Sequence, residues 1–502
     1  MRIVVCVKQT ASGELNPFDA CAYEAALQIP EGEVILLSMG PEKTKEWLLN
    51  LTRLGAKKAY LLSDKAFAGA DTLATAYTLS LAVRKLEPEL VICGRQTIDG
   101  DTGQTGPSLS VAAELSLITN VMQIKETSGR LVCETRDMGE ETAEYPALIT
   151  VERINHLRLP SIRSKKGEVV HWTAEDIGAD LTRCGLKGSP TRVLASFQNE
   201  EGKRRCKYID FVNLPEVIAG GLEKEKQRLK PMQKSDRKLS KVWIVGEAPR
   251  SFAESISEDI TVIDAADFED NRTDEETEAG DVKDTCKRNL RDFAERLAAH
   301  IRQKQPEVIL WGSDSLSKAA APQVAALLQT GLCADCTALE TDGEKLFMYR
   351  PAFFGNIVAK IACMTKPQMA TVRTLEADGA DIICALGKGA KNAVGDIEKL
   401  IQDKNEPAAL GKGPRWDIAA SRLAVDAEML PYDRQVGITG KSVNPGVYIA
   451  IGISGAVHHI AGMKQSGMVI AVNPDKDAAI FDYADYGIVG TAEDFVKYLR
   501  DI

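Results

Sequence analysis

Two stretches of the chain carry residue types at spacings that suit ligand chemistry. In one, the apolar run Val447-Tyr448-Ile449-Ala450-Ile451 stops at Gly452-Ile453-Ser454-Gly455 and passes into Ala456-Val457-His458-His459-Ile460-Ala461-Gly462-Met463, a helical opening. A strand, a glycine turn and a helix start present backbone N–H groups and a positive helix end, so phosphate is the expected guest. In the other, a strand from Leu90 to Cys93 runs into Gly94-Arg95-Gln96-Thr97-Ile98-Asp99-Gly100-Asp101-Thr102-Gly103-Gln104-Thr105-Gly106-Pro107, ahead of a helical pattern from Ser108 to Leu115. Small residues and hydroxyls again separate strand end from helix start, which reads as a second anion site. The competing explanation is a polar connection that needs glycine only for its turns.

Spelling narrows the phosphate chemistry. The dinucleotide fingerprint G-x-G-x-x-G is absent from the C-terminal stretch, and Gly437-Ile438-Thr439-Gly440-Lys441-Ser442 fails the P-loop pattern because Gln435 stands where its first glycine belongs.

The elements that must position these loops alternate. Met1 to Lys8, Val34 to Leu37, Ala59 to Leu62 and Leu90 to Cys93 are short apolar runs separated by helix-like segments, which predicts an α/β fold with mostly parallel sheet and helices on both faces. At 502 residues the chain exceeds one ordinary hydrophobic core, and roughly three domains of about 150 residues are expected. The segment from Val111-Ala112-Ala113 to Arg136 repeats from Val324-Ala325-Ala326 to Arg350, at an offset of about 214 residues, so the α/β unit is duplicated. The copy lacks the glycine-rich loop, having Ser313-Asp314-Ser315-Leu316-Ser317-Lys318-Ala319 instead. Residues 223–240 are charged and poor in apolar side chains, as a solvated linker is, and Asp264 to Asp284 is an acidic insertion expected to be a surface loop. The division is therefore 1–222, the linker 223–240, then 241–365 and 366–502.

Composition excludes some functions. A net charge of −10, without a basic stripe or interleaved aromatics, argues against nucleic acid and for protein and small-molecule partners. The eleven cysteines lack framework spacing, and no apolar run is long enough for a bilayer, so a reducing cytoplasm without membrane insertion is expected. Cys333 and Cys336 form a C-x-x-C with no second pair or histidine nearby, so no metal is expected and both read as small buried hydrophobes.

Five ordered motifs carry a family resemblance: A-S-R-x-x-V-D (Ala420 to Asp426), Q-V-G-x-T-G-K (Gln435 to Lys441), Y-I-A-x-G-I-S-G-A (Tyr448 to Ala456), H-x-A-G-M (His459 to Met463) and A-D-Y-G-I-V-G (Ala484 to Gly490). They resemble the flavin domain of the α subunit of electron transfer flavoproteins. The N-terminal half resembles the β subunit of that family through Asn16-Pro17-Phe18-Asp19, Ser38-Met39-Gly40-Pro41, Phe67 to Ala76 and Gly94 to Pro107. The chain thus looks like β and α fused in that order: two pseudo-symmetric, adenine-nucleotide-α-hydrolase-like units and a C-terminal Rossmann-like FAD domain.

The resemblance implies FAD lined by Lys388, Ser421, Arg422, Gln435, Val436, Gly437, Ile438, Thr439, Ser454, Gly455, Ala456, Val457, His458, His459, Asn473 and Thr491. Within that set it implies Arg422 over the ring, His459 beside O2, Thr439 at N5, Ser421 and Ser454 on ring and phosphate, and Asn473 toward the adenosine. A cation there favours the reduced flavin, whose charge gathers near N1 and O2. The bland alternatives are a surface ion pair with Asp426 for Arg422, helix packing for His459, and caps for the hydroxyls. Lys388 stands for a usual arginine, Ile438 for a usual glutamine, Thr491 for a usual acid and His458 for a common glutamine. Were both imidazoles to face the ring, the flavin potential would rise.

For the β-like half the resemblance implies a nucleotide, AMP in ordinary carriers or a second FAD in electron-bifurcating members, lined by Cys6, Asn16, Pro17, Phe18, Asp19, Met39, Gly94, Arg95, Gln96, Asp99, Gly100, Asp101, Thr102, Gly103, Gln104 and Thr105. Gly100-Asp101-Thr102 and Pro107 lean toward bifurcating members, Gln104-Thr105-Gly106 toward AMP binders. Implied partners are an acyl-CoA-dehydrogenase-like flavin enzyme and a redox partner protein, with NADH as donor in the bifurcating alternative. A nucleotide-binding regulatory protein without redox use is the reading from another class. Three departures stand out: a short connection over Gln9 to Leu15, a partner loop reduced to Leu159 to Lys166, and the loss of several dozen residues after Arg373.

Overall fold

A computed structural model of the chain describes residues 1–136, 138–152, 157–198, 204–228, 235–268, 290–352, 357–373, 380–409, 413–437, 441 and 443–500. The chain forms two compact units, one of Met1–Ser196, Met232–Phe353 and Val358–Thr374, the other of Phe197–Pro231, Phe354–Ile357 and Leu375–Ile502.

In the first unit the strand Arg2–Cys6 lies between Leu90–Gly94 and Glu33–Met39 in a nine-stranded sheet, parallel to both. Chain order reverses beside that strand: Glu33–Met39 and Lys58–Leu62 extend the sheet one way, Leu90–Gly94 and Ala147–Val151 the other. Strands of this kind read as continuous apolar runs because helices cover both faces, and Ile3, Val4 and Val5 are all 0% exposed. A five-stranded parallel sheet holds the duplicate, with strands Ile260–Ile263, Val242–Val245, Val308–Trp311, Gln368–Val372 and Leu332–Cys336 in that spatial order. A separate four-stranded sheet joins Thr191–Gln198, Ile357–Cys363, Leu346–Ala352 and Ala338–Thr341.

The duplication extends to backbone detail. Helices Thr105–Ala113 and Ser315–Leu328 each end on a left-handed residue, Glu114 (φ 61°) and Gln329 (φ 54°), and the strand after each carries a second, Asn120 (φ 55°) and Asp335 (φ 56°). The two helices meet: the Ser108 hydroxyl donates to the Pro322 carbonyl at 3.3 Å. Cys333 and Cys336 are buried in the strand Leu332–Cys336.

In the second unit six parallel strands stand in the order Lys207–Tyr208, Tyr486–Val489, Met468–Asn473, Val447–Ile451, Ile382–Leu386, Trp416–Ala420. Residues 207–228 belong to the first domain and linker in the sequence division, yet here they complete the C-terminal unit. Their strand pairs with Tyr486–Val489, and Leu214 and Ile218 of the helix Leu214–Arg228 enter its core. The helix also runs through residues 223–228, where the charge pattern suggests a linker. Residues 229–234 of that linker and 269–284 of the acidic insertion lie outside the described residues.

Between the two central strands the backbones touch. The Gly387 N–H donates to the Ile451 carbonyl at 2.8 Å, and a Cβ on Gly387 would stand 2.0 Å from the Gly452 oxygen. No side-chain rearrangement relieves a backbone clash, so Gly387→Ala is expected to destabilise this unit by at least about 1–3 kcal/mol. Urea unfolding followed by tryptophan fluorescence checks it, Trp416 reporting on the unit.

Candidate functional site

Order reversal beside Ile382–Leu386 marks the candidate site of this unit. Trp416–Ala420 adds on one side and Val447–Ile451 on the other, so the loops at the carboxyl ends diverge and open a crevice, the usual ligand position in open α/β sheets. The residues leaving those ends are Lys388 after the first strand, Ser421 and Arg422 after Trp416–Ala420, Gly452 to Val457 after the third, Asn473 ending the fourth and Thr491 after the fifth. Six sequence-predicted residues, Lys388, Ser421, Arg422, Ser454, Asn473 and Thr491, therefore share one edge.

Their side chains are in different states. Lys388, Ser454, Ala456, Val457 and His458 are exposed. Arg422 is 48% exposed and its Nε lies 3.4 Å from Asp426 Oδ2, the helical ion pair of the bland alternative. The Ser421 hydroxyl accepts from the Ala424 N–H and caps its helix. Thr491 forms a capping box with Asp494, donating at 2.8 Å and accepting the Asp494 N–H at 3.1 Å. Asn473 is buried; its amide donates to the Ile453 carbonyl at 2.9 Å and its oxygen accepts the Asp475 N–H at 2.9 Å, which pins the Gly452–Gly455 turn. Gln435, Val436 and Gly437 are buried behind that turn. Gly437 (φ +142°) would put a Cβ 2.8 Å from the His458 carbonyl oxygen, so glycine is required twice over. Ile438 and Thr439 lie outside the described residues.

His459 lies inside the fold. It is buried at 5% exposure, with Nδ1 3.1 Å from the Val436 carbonyl and Nε2 2.9 Å from the Tyr448 hydroxyl. Burial pulls its pKa down to about 4, so the ring is neutral near pH 7 and both nitrogens are engaged. His458 is exposed and His459 buried, so the two imidazoles stand in different environments. Sequence pattern missed Tyr448, which reads as one more apolar strand residue.

FAD needs turns without side chains near its phosphates, hydroxyl or N–H donors, and cations. Gly387 and Gly452 in backbone contact, exposed Ser454, and Lys388 and Arg422 on the same edge supply these, so the residues fit the group.

In the first unit the carboxyl ends of Arg2–Cys6, Glu33–Met39 and Leu90–Gly94 bring Cys6, Met39 and Gly94 to one edge. Pro17 opens the helix Pro17–Gln28, and its next residues line the underside. A Cβ on Gly94 would stand 2.4 Å from Asp19 Oδ1. Asp19 accepts the Lys8 N–H at 2.8 Å, yet burial raises its pKa to about 7. Asn16 braces the loop, donating to the Gln96 carbonyl at 2.9 Å and accepting the Ile98 N–H at 3.2 Å. Gln96 donates to Asp101 Oδ1 at 2.6 Å, and Lys8 pairs with Asp99 at 2.8 Å. Arg95 lies over the Phe18 ring and pairs with Glu152, whose fully buried carboxylate also holds Arg136. Gly100, Thr102 and Gly103 are half-buried, Gln104 is buried, and Thr105 begins the next helix. Arg136, Glu152 and Arg350 were not anticipated here; the repeat, which aligns Arg136 with Arg350, was the available signal.

Comparison with known proteins agrees with this arrangement. The description "Electron transfer flavoprotein domain" fits residues 3–177 and 288–399, and "Electron transfer flavoprotein FAD-binding domain" fits residues 376–464. The electron transfer flavoprotein subunit β of Thermoanaerobacterium thermosaccharolyticum is 37% identical over 44% of this chain and 89% of its own length. The α subunit of that organism is 38% identical over 39% of this chain and 71% of its own. A caffeyl-CoA reductase–Etf complex subunit of Acetobacterium woodii is 38% identical over 39% and 87%. The chain belongs to the electron transfer flavoprotein family, with β-like and α-like sequence in a single polypeptide.

The two shifted groups have opposite pH signatures. His459 has a folded pKa below its unfolded value, so stability is lost as pH falls from 6.5 toward about 4. Asp19 has a folded pKa above its unfolded value, so stability is gained as pH falls from about 7 toward 3.8. Relative to His459→Gln, the wild type should lose roughly 3 kcal/mol across its window; relative to Asp19→Asn it should gain. Urea midpoints at several pH values check both signs.

Proposed function

We propose that this chain carries electrons through one FAD held at the carboxyl edge of the C-terminal sheet, between a flavin dehydrogenase and a redox partner protein. The observation that carries the reading is the convergence of Lys388, Ser421, Arg422 and Ser454 on the switch point of a unit most of which the FAD-binding description covers. When bound, FAD supplies the redox chemistry; the chain supplies position and field. Lys388 and the Gly452–Gly455 turn would meet phosphate, Ser421 and Thr439 the ring, and Asn473 keeps the turn in shape. Arg422 would favour the reduced form, its field diluted by Asp426 at 3.4 Å. The name of the Acetobacterium relative supports a CoA-ester-handling flavin enzyme as partner.

The β-like loop takes AMP in this reading. A second FAD there, with NADH as donor, is the alternative, and the half-buried Gly100-Asp101-Thr102 segment is the feature that favours it. Among the described residues no helix is long and apolar enough to cross a membrane.

Nucleotide analysis of the heat-denatured supernatant decides. One FAD plus AMP per chain supports the carrier, two FAD favour the bifurcating alternative, and failure to take up FAD on reconstitution overturns both. Arg422→Ala should lower the flavin potential by about 60 mV, the one-electron equivalent of about 1.4 kcal/mol, and Asp426→Asn should raise it; spectroelectrochemistry reads both.

A further inference from the structure

The hydrogen-bond chain through His459 has one consistent assignment. A carbonyl oxygen only accepts, so the 3.1 Å contact to Val436 requires the hydrogen on Nδ1. Nε2 then carries a lone pair, and the Tyr448 hydroxyl, 2.9 Å away, must donate to it. Tyr448 is 0% exposed in the central strand Val447–Ile451, and its ring lies 6.1 Å from the imidazole. Protonating Nε2 would turn the hydroxyl into an acceptor and strand its own hydrogen in an apolar core, a cost beyond that of burying the charge.

Burial and the Val436 carbonyl are what act on the His459 pKa. The side chains clustered around the pair are Ile383, Ala385, Val436, Val443, Ile460 and other apolar residues. The titratable groups on the packed elements are Cys384, which raises the Tyr448 pKa further, exposed His458 on the same helix, Lys464 at that helix's end, Lys441 beside Val436, Cys206, and Asp482 and Tyr483 on the turn Ala479–Tyr483. Asp482 is the carboxylate among them, and it does not figure among the causes of the His459 shift; residues 438–440 lie outside the described set.

We propose that Tyr448 is a positioning residue that fixes His459 as the Nδ1–H tautomer with Nε2 as acceptor. In that state the imidazole has no donor to give a flavin carbonyl, because Nδ1–H is spent on Val436 and Nε2 holds only a lone pair; such a bond would require protonating Nε2 and giving up the Tyr448 hydrogen bond. The proposal rests on the FAD reading for its role, but the tautomer is a property of the chain.

Nitrogen-15 imidazole spectra of the full chain, recorded without and with FAD over about pH 5 to 8, test it, with His459→Gln assigning the signal. The expected result is an Nδ1–H tautomer throughout in the wild type. In Tyr448→Phe the titration midpoint of His459 should move up by one unit or more, and the plot of flavin potential against pH should gain a change of slope at that midpoint that the wild type lacks. An Nε2–H tautomer in the wild type, in either state, overturns the proposal, as does a Tyr448→Phe titration matching wild type. If that variant fails to fold, the wild-type tautomer alone decides. A protein showing the expected tautomer but taking up no FAD would sink the FAD reading and leave the tautomer standing.

Discussion

The constraint on which the C-terminal unit depends is the backbone contact between Gly387 and Gly452. Parallel strands must be left by loops that run over the sheet edge, and at the order reversal two such loops leave side by side in opposite directions. Any side chain at either position would force them apart: a Cβ at Gly387 stands 2.0 Å from the Gly452 oxygen, and one at Gly452, itself at φ +64°, stands 2.9 Å from the Gly389 carbonyl carbon. Lys388 and Ser454 reach the same crevice because those glycines let the loops cross without side chains. The first unit uses the same topology beside Arg2–Cys6, with Gly94 lying against the backbone of Phe18 and Asp19.

Most polar groups at the C-terminal edge already satisfy protein backbone. Ser421 and Thr491 cap helices, and Asn473 holds the turn that carries Ser454. A group so engaged has a fixed direction before any ligand arrives, which lowers the ordering cost of binding but limits the new hydrogen bonds it can make. Arg422 and Lys388 differ, being exposed, and they contribute charge rather than geometry. The edge is thus divided between residues that hold its shape and residues that set its field, and His459 belongs to the first kind.

The division explains what the sequence could reveal. Apolar runs such as Val447 to Ile451 marked the buried parallel strands, because only strands covered on both faces read that way. The glycine loops marked where the backbones cross at the candidate edge, because close approach permits little else. Side-chain direction was not legible. Adjacent helical residues point about 100° apart, so His458 and His459 had to differ, but the pattern did not say which one enters the core. Tyr448 was hidden for a similar reason, since in an apolar strand one hydroxyl does not disturb the periodicity. The exchange of residues 207–228 into the C-terminal unit was also invisible, because strand pairing between distant segments leaves no local signature.

The duplication shows how related positions come to serve different ends. Arg136 and Arg350 occupy equivalent places in the two copies, yet Arg136 pairs with the buried carboxylate of Glu152 while Arg350 donates to the Asp101 carbonyl at 3.1 Å. Asp101 has a left-handed backbone (φ 54°), and burial raises its carboxyl pKa. A loop turn of this kind is strained for a non-glycine residue and persists only where neighbours hold it. The second copy, which lacks its own glycine-rich loop, supplies that hold. Its equivalent of Glu152 is Arg373, paired with Asp335 of the same copy, so the two copies carry opposite charges at matching positions. The repeat without a glycine-rich loop therefore supports the loop of the other, Arg350 of the second copy holding the Asp101 turn of the first.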